Sequence, residues 1–302
     1  MSLLRPLLNQ YLRLTEKRHM RGASGPEPLR RSFETKARLF FHPPRRMRFE
    51  PGSLAEAEAL WAKPRHASPR FTVLYFHGGG FVFGSPRTHR AMVANLACRA
   101  GAQAVLPRYP LAPEHPFPAA LTHAIATYHA VCAMGDPVVL GGDSAGGGLA
   151  LSVLAALLAE GASLPAAVFA FSPLTDLTFS GDSISENAKA DVVLPAERAG
   201  ELAQMYLADA DPTDPRVSPL FADFTGAPPV WITAGDTEIL LDDSRRMAER
   251  LREQGVSTTY VEEHDLPHVW PIFHNTLPEA RATLSDLAAW MTDQTGASAP
   301  TR

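Results

Sequence analysis

The stretch Gly142-Asp143-Ser144-Ala145-Gly146 lies between two different kinds of sequence and decides the fold. The apolar residues 137–140 precede it, as in a buried strand, and residues 149–158 after it carry the apolar, small-residue pattern of a helix. A serine between a strand and a helix, with glycine two positions away on each side, is typical of a sharp turn that exposes a nucleophile. We therefore predict that Ser144 is a nucleophile rather than an ordinary serine in a glycine-rich surface turn.

The composition indicates one large core and argues against several classes of protein. The chain has 302 residues, of which 45% are hydrophobic, and a formal net charge of −4. Its basic runs at residues 30–31 and 45–48 are short, so we expect no nucleic-acid partner. Cys98 and Cys132 lie in apolar helical patterns and suggest neither a disulfide framework nor a metal site. We expect no metal and no organic cofactor.

The N-terminal sequence predicts neither a signal peptide nor a membrane span. Arg, Pro, Asn and Gln interrupt residues 1–10, whereas a signal peptide needs an uninterrupted apolar stretch. No apolar run in the sequence approaches the roughly 20 residues of a membrane-spanning helix. We therefore expect no stable membrane insertion and a cytoplasmic location.

Apolar runs alternate with helical patterns along most of the chain. Such alternation is typical of the α/β class, in which a mostly parallel central sheet is flanked by helices. The predicted strands are Phe71–His77, Ala102–Leu106, Pro137–Gly141, Ala166–Ser172, Val230–Ala234 and Thr258–Glu262. The predicted helices are Thr88–Ala100, Ala119–Met134, Ser144–Ala159, Asp242–Gln254 and Pro278–Met291.

Two segments interrupt this alternation, and we interpret both as parts of a helical cap over the sheet. Residues 1–60 are polar and mostly helical in pattern. Residues 61–302 form the catalytic domain and contain an acidic insertion at about 180–225, which is punctuated by Pro and holds one helix near Ala196–Ala208. Because ligands bind at the carboxyl edge of an open α/β sheet, a cap at that edge would cover the site.

A second glycine-rich segment, His77-Gly78-Gly79-Gly80, directly follows an apolar strand pattern. Glycines let backbone N–H groups approach a substrate oxygen closely. In sites of this strand–turn–helix type, such a loop and the residue after the nucleophile donate hydrogen bonds to the oxyanion that forms during attack. The motif predicts Gly78, Gly79 and Ala145 as the oxyanion-hole donors.

A serine nucleophile needs a histidine base, and the chain order serine, acid, histidine places that base after the last strand. Two candidates lie there. His264 is so close to the predicted strand Thr258–Glu262 that its side chain can simply face solvent. The sequence 265–268 places His268 in a loop several residues further on, and we predict His268 as the base.

The acid that orients this base is expected after the predicted strand Val230–Ala234. The segment that follows the strand offers four carboxylates. Asp242 and Asp243 begin the next helix, where N-capping and the helix dipole explain them. Asp236 at the strand end and Glu238 in the middle of the loop both remain candidates.

Together these motifs resemble the hormone-sensitive-lipase-like family of α/β-hydrolase esterases, the bacterial family IV esterases. The resemblance implies the α/β-hydrolase fold and a preference for short acyl esters. Family members carry an Asp-Pro-Leu-x-Asp segment at the acid position, and matching it through the helix 242–251 favours Glu238 over Asp236. The resembling blocks are His77–Gly80, Arg108–Glu114, Phe117–Ala119, Gly142–Gly147, Ser172–Asp176 and Asp265–His268.

We therefore predict a serine carboxylesterase that hydrolyses small-molecule esters of short to medium acyl chain length. Its triad would be Ser144, Glu238 and His268, working through an acyl-enzyme intermediate. An amidase or deacetylase would use the same triad, and a non-catalytic small-molecule-binding homologue would keep the fold, so both remain alternatives. The last strand, near Ser257–Glu262, is expected at the sheet edge, where family members often form homodimers.

Overall fold

One eight-stranded sheet forms the centre of the computed structural model, which describes residues 4–296. The strands are β1 (Met47–Leu54), β2 (Ala57–Pro64), β3 (Thr72–Phe76), β4 (Gln103–Pro107), β5 (Val138–Asp143), β6 (Ala167–Phe171), β7 (Val230–Gly235) and β8 (Thr258–Glu263). Their order in the sheet is β1-β2-β4-β3-β5-β6-β7-β8. The pairs β1/β2 and β2/β4 are antiparallel and all other neighbours are parallel, so the carboxyl ends of β3 to β8 meet at one edge.

All six predicted strands are present, as β3 to β8, with ends within two residues of the prediction. The residues of β3, β4, β5, β6 and β7 are buried along their whole length, which is why their sequences are almost continuously apolar. The strand β8 lies at one edge of the sheet, as expected for the last strand.

The expectation that residues 1–60 are mostly helical is wrong for residues 47–60. The last helix of this segment ends at Phe40, and residues 47–64 form the antiparallel hairpin β1–β2. The strand β1 is at the other edge of the sheet and buries only Met47 and Leu54, so it lacks an apolar run. Its turn, Ala55-Glu56, has positive φ at both residues (49° and 65°) without the Gly or Asn that usually signals such a turn.

Helices cover both faces of the sheet, and each face has its own apolar core. The helices are α1 (Leu4–Leu12), α2 (Arg18–Gly22), α3 (Pro26–Phe40), α4 (Pro86–Ala100), α5 (Ala119–Cys132), α6 (Ala145–Glu160), α7 (Ser183–Glu186), α8 (Ala199–Leu207), α9 (Leu241–Glu253) and α10 (Pro278–Gln294). The five predicted helices correspond to α4, α5, α6, α9 and α10. The cores contain side chains of α4 and α10 on one face and of α5, α6 and α9 on the other.

The N-terminal helices pack against the inserted segment that contains α7 and α8. A π-helical turn, Arg13–Lys17, joins α1 to α2. From this turn Arg13 Nη1 donates to the carbonyl of Lys189 (2.7 Å), and Lys17 Nζ donates to the carbonyl of Asp191 (2.7 Å). These bonds join the two segments that the sequence assigns to the cap and fix the position of the insertion.

Candidate active site

Ser144 occupies a strained turn between β5 and α6. Its backbone has φ 51° and ψ −124°, a conformation that a residue with a side chain adopts only when its surroundings enforce it. The Ser144 N–H donates to the carbonyl of Phe171 (2.8 Å), and the Ser144 carbonyl accepts from the N–H groups of Gly148 and Leu174 (both 3.0 Å). The turn is therefore held from the neighbouring strand β6, from the loop that follows it and from α6.

The two glycines of the turn are required by close backbone contacts. A Cβ atom on Gly142 would lie 2.2 Å from the carbonyl oxygen of Gly146. A Cβ atom on Gly146 would lie 2.1 Å from the carbonyl oxygen of Phe76, at the end of β3. No real Cβ contact is that short, so the spacing Gly-x-Ser-x-Gly follows from packing the turn against β3.

The loops after β7 and β8 bring Glu238 and His268 into direct contact. Nδ1 of His268 lies 2.6 Å from Oε2 of Glu238, and both side chains are buried. The other carboxylate oxygen of Glu238 accepts from Ser172 Oγ (2.8 Å) and from the Gly235 N–H (2.6 Å). Glu238 is thus oriented by two donors while it holds the ring of His268.

Ser172 was not recognised as a site residue from the sequence. Besides bonding Glu238, its Oγ accepts from the Val269 N–H (3.2 Å), so one hydroxyl connects the loops that carry Glu238 and His268. The sequence offers one signal that could have identified Ser172: the residue directly follows β6, at the carboxyl edge of the sheet where ligands bind.

The competing residues Asp236 and His264 form a separate pair at the surface. Oδ2 of Asp236 lies 2.6 Å from Nδ1 of His264, and Oδ1 accepts from the Asp265 N–H (2.7 Å). The His264 side chain is 70% exposed, and neither residue lines the cavity at Ser144. The geometry joins Glu238, not Asp236, to His268.

The surroundings of His268 favour its protonated form. Burial opposes a charge on the ring, but the charge and hydrogen bond of Glu238, together with Asp191 and Asp143, raise the pKa of His268 above its ordinary value. Nε2 of His268 is buried and has no hydrogen-bond partner within residues 4–296. This nitrogen is the one left for a reacting group, and His268 and Ser144 line the same cavity.

The N–H of Gly78, which the sequence predicts as an oxyanion donor, already has a hydrogen-bond partner in the structure. It donates to Oδ1 of Asp143 (2.9 Å) and is therefore occupied. The next two glycines have positive φ (124° and 58°), and the N–H groups of Gly79, Gly80 and Ala145 make no hydrogen bond to another described residue. Gly80, which the sequence reasoning omitted, takes the place of Gly78 among the available donors.

Asp143 is a buried carboxylate that anchors the glycine loop beside Ser144. In addition to Gly78, it accepts from Tyr75 Oη (2.7 Å) and lies 3.2 Å from Nε2 of His89. Burial opposes its ionisation, but His89 and the hydrogen bond from Tyr75 outweigh that effect and lower the pKa of Asp143. The charged carboxylate fixes the loop from below, which leaves the N–H groups of Gly79 and Gly80 unpaired.

A second buried carboxylate, Asp191, joins the cap to the acid loop. It accepts from the N–H groups of Val193 (2.7 Å), Leu194 (2.8 Å) and Ile239 (3.0 Å), the last being the residue after Glu238. Four residues earlier, Asn187 Nδ2 donates to the Glu238 carbonyl (2.8 Å). Because these residues lie in an insertion without a periodic pattern, sequence reasoning did not identify them.

A cavity of about 260 Å³ lies over Ser144 and has mostly apolar walls. Side chains from both cap segments and from the catalytic loops form these walls. They include Leu8, Tyr11, Leu12, Met20, Phe33, Phe40, Phe41, Phe83, Leu174, Leu177, Phe179, Val193, Leu194, Leu202, Ile239, Val269, Ile272 and Phe273. Ser144 and His268 are thus surrounded by apolar side chains, which suits a small ligand with an apolar part.

Two further findings bear on cofactors and membranes. Within residues 4–296, no group of three or more His, Cys, Asp and Glu side chains is arranged to hold a metal ion. In the same part of the chain, no helix combines the length and the apolar character that crossing a membrane requires.

The fold and the site agree with a known family. The family described as having the alpha/beta hydrolase fold matches residues 73–272. An acetyl-hydrolase of Streptomyces hygroscopicus is 37% identical over 247 residues, covering 81% of this chain and 82% of its own. An esterase of Acinetobacter venetianus is 35% identical over 271 residues, and the match covers 88% of this chain and 89% of that esterase.

Solved structures give the same result at the level of the whole chain. The esterase EstE5 superposes with a TM-score of 0.92 at 34% identity, covering 98% of this chain and 100% of that one. An esterase described as belonging to the bacterial hormone-sensitive lipase family also superposes with a TM-score of 0.92 at 34% identity, and the match covers 98% of this chain and 99% of that one. This chain belongs to the hormone-sensitive-lipase-like esterases of the α/β-hydrolase fold.

Proposed function

We propose that the protein is a serine carboxylesterase with the triad Ser144, His268 and Glu238. The observation that carries the proposal is the buried 2.6 Å contact between Glu238 and His268, in the same site as a strained serine. The names of the relatives, esterase and acetyl-hydrolase, support an acyl ester as the substrate.

In the first step, Nε2 of His268 takes the proton of Ser144 Oγ, and the oxygen attacks the carbonyl carbon of the ester. Glu238 holds the ring through Nδ1 and stabilises the imidazolium that forms. The raised pKa of His268 supports this role, because a stronger base accepts the proton more readily.

The oxyanion receives hydrogen bonds from the N–H groups of Gly79, Gly80 and Ala145. Ala145 is the first residue of α6, so its N–H lies at the positive end of a helix of 16 residues. The two glycine N–H groups come from the loop that Asp143 anchors. Each such donor is worth about 3 kcal/mol in the transition state.

In the second half of the reaction, His268 returns its proton to the leaving alcohol and an acyl-enzyme remains. Water, deprotonated by His268, then attacks the acyl carbonyl. When the bond from the acyl carbon to Ser144 Oγ breaks, His268 returns the proton to Oγ and the carboxylic acid is released. Pockets that hold drug-sized ligands have volumes of roughly 300–1,000 Å³. The cavity of about 260 Å³ is smaller than these pockets, which supports esters with short to medium acyl chains as substrates.

The test is hydrolysis of p-nitrophenyl esters of increasing acyl length, beside a p-nitroanilide, by the wild-type protein and by Ser144→Ala. We expect ester turnover that is greatest for short to medium chains and is lost in Ser144→Ala. Turnover that survives this substitution would refute the mechanism. Greater activity on the anilide would favour the amidase alternative, and tight binding of small molecules without turnover would favour the non-catalytic one.

A further inference from the structure

Five large apolar side chains on the two N-terminal helical segments that border the cavity are exposed to solvent. Leu7, Tyr11 and Leu14 come from the first helical segment, and Leu39 and Phe40 from the end of α3, with exposed fractions between 47% and 66%. Such a concentration of exposed apolar surface usually marks a binding surface. We call these five residues the apolar rim.

The rim is continuous with the active-site cavity. Tyr11 and Phe40 belong to the rim and also line the cavity above Ser144. An ion pair between Lys36 and Glu16 (2.6 Å) joins the two helical segments that carry the rim. A layer that covers the rim would therefore lie against the side of the cavity that Tyr11 and Phe40 form.

The rim residues of the first segment share one face of the helix. Leu7, Tyr11 and Leu14 follow one another at spacings of four and three, and a further step of four leads to Arg18, which is exposed. Arg38, also exposed, stands beside Leu39 at the end of α3. Neither arginine forms an ion pair with another described residue. The apolar face is thus bordered by available positive charge.

The charge of this part of the chain differs in sign from that of the whole. Residues 1–40 contain nine Lys and Arg and three Glu, a net charge of +6, whereas the whole chain carries −4. An amphipathic helical segment with apolar side chains and a basic border is typical of peptides that lie in the surface of an anionic lipid layer. Arg5, Arg21 and Arg30 pair with carboxylates elsewhere in the chain, so Arg18 and Arg38 are the charges that border the rim. Two copies of the rim placed face to face would bring these like charges together, which disfavours a second copy as the occupant.

We propose that the apolar rim and its basic border dock the protein on the surface of an anionic phospholipid layer. The first helical segment lies parallel to the layer, the rim side chains enter the headgroup region, and the side of the cavity formed by Tyr11 and Phe40 faces the lipid. Docking goes beyond the proposed ester hydrolysis and does not depend on it, because it involves neither Ser144 nor His268.

The test is co-sedimentation of full-length Ser144→Ala protein with vesicles, since this background prevents hydrolysis of the lipid. One set of vesicles is phosphatidylcholine alone and the other contains added phosphatidylglycerol. We expect binding to the anionic vesicles, weaker binding to the neutral ones, and release at high salt. Absence of binding to the anionic vesicles would overturn the proposal.

The decisive variant is Leu7→Glu with Leu14→Glu, and its matched control is Met134→Glu with Leu164→Glu. The control changes two exposed apolar residues that lie just before β5 and β6, at the amino ends of these strands, and it adds the same charge. We expect the rim variant to lower vesicle partitioning by about tenfold or more and the control to change it less than about twofold. Equal loss in both variants would contradict docking through the rim.

Light scattering on the same proteins tests the competing occupant. We expect the same oligomeric state for the rim variant and its control. A wild-type oligomer that only the rim variant dissociates would assign the rim to a second copy and overturn lipid docking. The proposed esterase activity is tested separately. The same substitutions are made in protein that keeps Ser144, and hydrolysis of soluble p-nitrophenyl esters is measured.

Discussion

Two carboxylate–histidine pairs lie a few residues apart in this protein and differ mainly in burial. Glu238 contacts His268 and Asp236 contacts His264, each at 2.6 Å between oxygen and Nδ1. The first pair is buried beside the cavity of Ser144, whereas the His264 side chain of the second is 70% exposed. The same chemical contact thus occurs once beside the cavity of Ser144 and once at the surface, so the contact alone does not distinguish the proposed catalytic pair.

The two environments have different electrostatic consequences. Around His268 the low-dielectric surroundings strengthen the influence of Glu238, and the more distant Asp191 and Asp143 still contribute. An exposed pair is screened by water and salt and contributes little to stability or reactivity. The predictions below test this contrast, from the largest expected effect to the smallest.

The largest difference is expected between the two histidines. His268→Gln should reduce kcat by about 10⁶-fold, because loss of the base disables the whole triad. His264→Gln should leave kcat within about twofold of wild type, since an exposed group away from the cavity contributes little to the transition state. Steady-state hydrolysis of a p-nitrophenyl ester measures both. Similar losses for the two variants would mean that His264 takes part in catalysis.

A smaller effect is expected at Asp143, which acts on the oxyanion loop rather than on the triad. Asp143→Asn should lower kcat by about 10²-fold, since a displaced loop weakens oxyanion stabilisation. KM should change little. Inhibition by a trifluoromethyl ketone, which forms an oxyanion on the enzyme, should weaken in parallel with kcat. A change in KM alone would indicate that Asp143 serves substrate binding instead.

The pH dependence of kcat/KM should report on the surroundings of His268. The base must be neutral, so activity should rise with pH through a pKa above the usual histidine value of about 6.5. Asp191→Asn removes a negative charge that favours the imidazolium, so the acid limb of the profile should move to lower pH. Asp236→Asn serves as the control and should leave the limb unchanged. A shift of the acid limb in Asp236→Asn but not in Asp191→Asn would mean that Asp236, and not Asp191, influences the pKa of the base.

The smallest effect concerns stability. Breaking the exposed pair with His264→Gln should change the free energy of unfolding by less than about 1 kcal/mol, because solvent screens the Asp236–His264 contact. Urea-induced unfolding followed by fluorescence measures the difference. A loss well above that range would show that the surface pair holds the loop between β8 and the base.

Much of the fold could be predicted from the sequence because the central strands are buried on both faces and therefore apolar. The turn at Ser144 was recognisable because its glycines are dictated by local packing. The hairpin β1–β2 was missed because the edge strand β1 buries only its two end residues, Met47 and Leu54, and therefore carries no apolar pattern. Local pattern thus identifies the elements that the core determines and not those at its edge.

The site was less predictable where tertiary contacts decide the role of a residue. Gly78 and Gly80 are chemically identical, and only the side chain of Asp143 determines which N–H is occupied. Likewise Asp236 and Glu238 are both carboxylates after β7, and only burial against Ser172 and Gly235 singles out Glu238. Asp191 reaches the acid loop from the insertion, a contact that no local sequence pattern encodes.

The most direct test of the central claim is kcat for Glu238→Gln and Asp236→Asn, measured side by side on one p-nitrophenyl ester. Both substitutions remove one carboxylate that contacts one histidine, and both keep the shape of the side chain. The proposed triad predicts a loss of about 10³- to 10⁴-fold for Glu238→Gln and less than about twofold for Asp236→Asn. Equal losses, or a larger loss for Asp236→Asn, would contradict the assignment of Glu238 as the acid that orients His268.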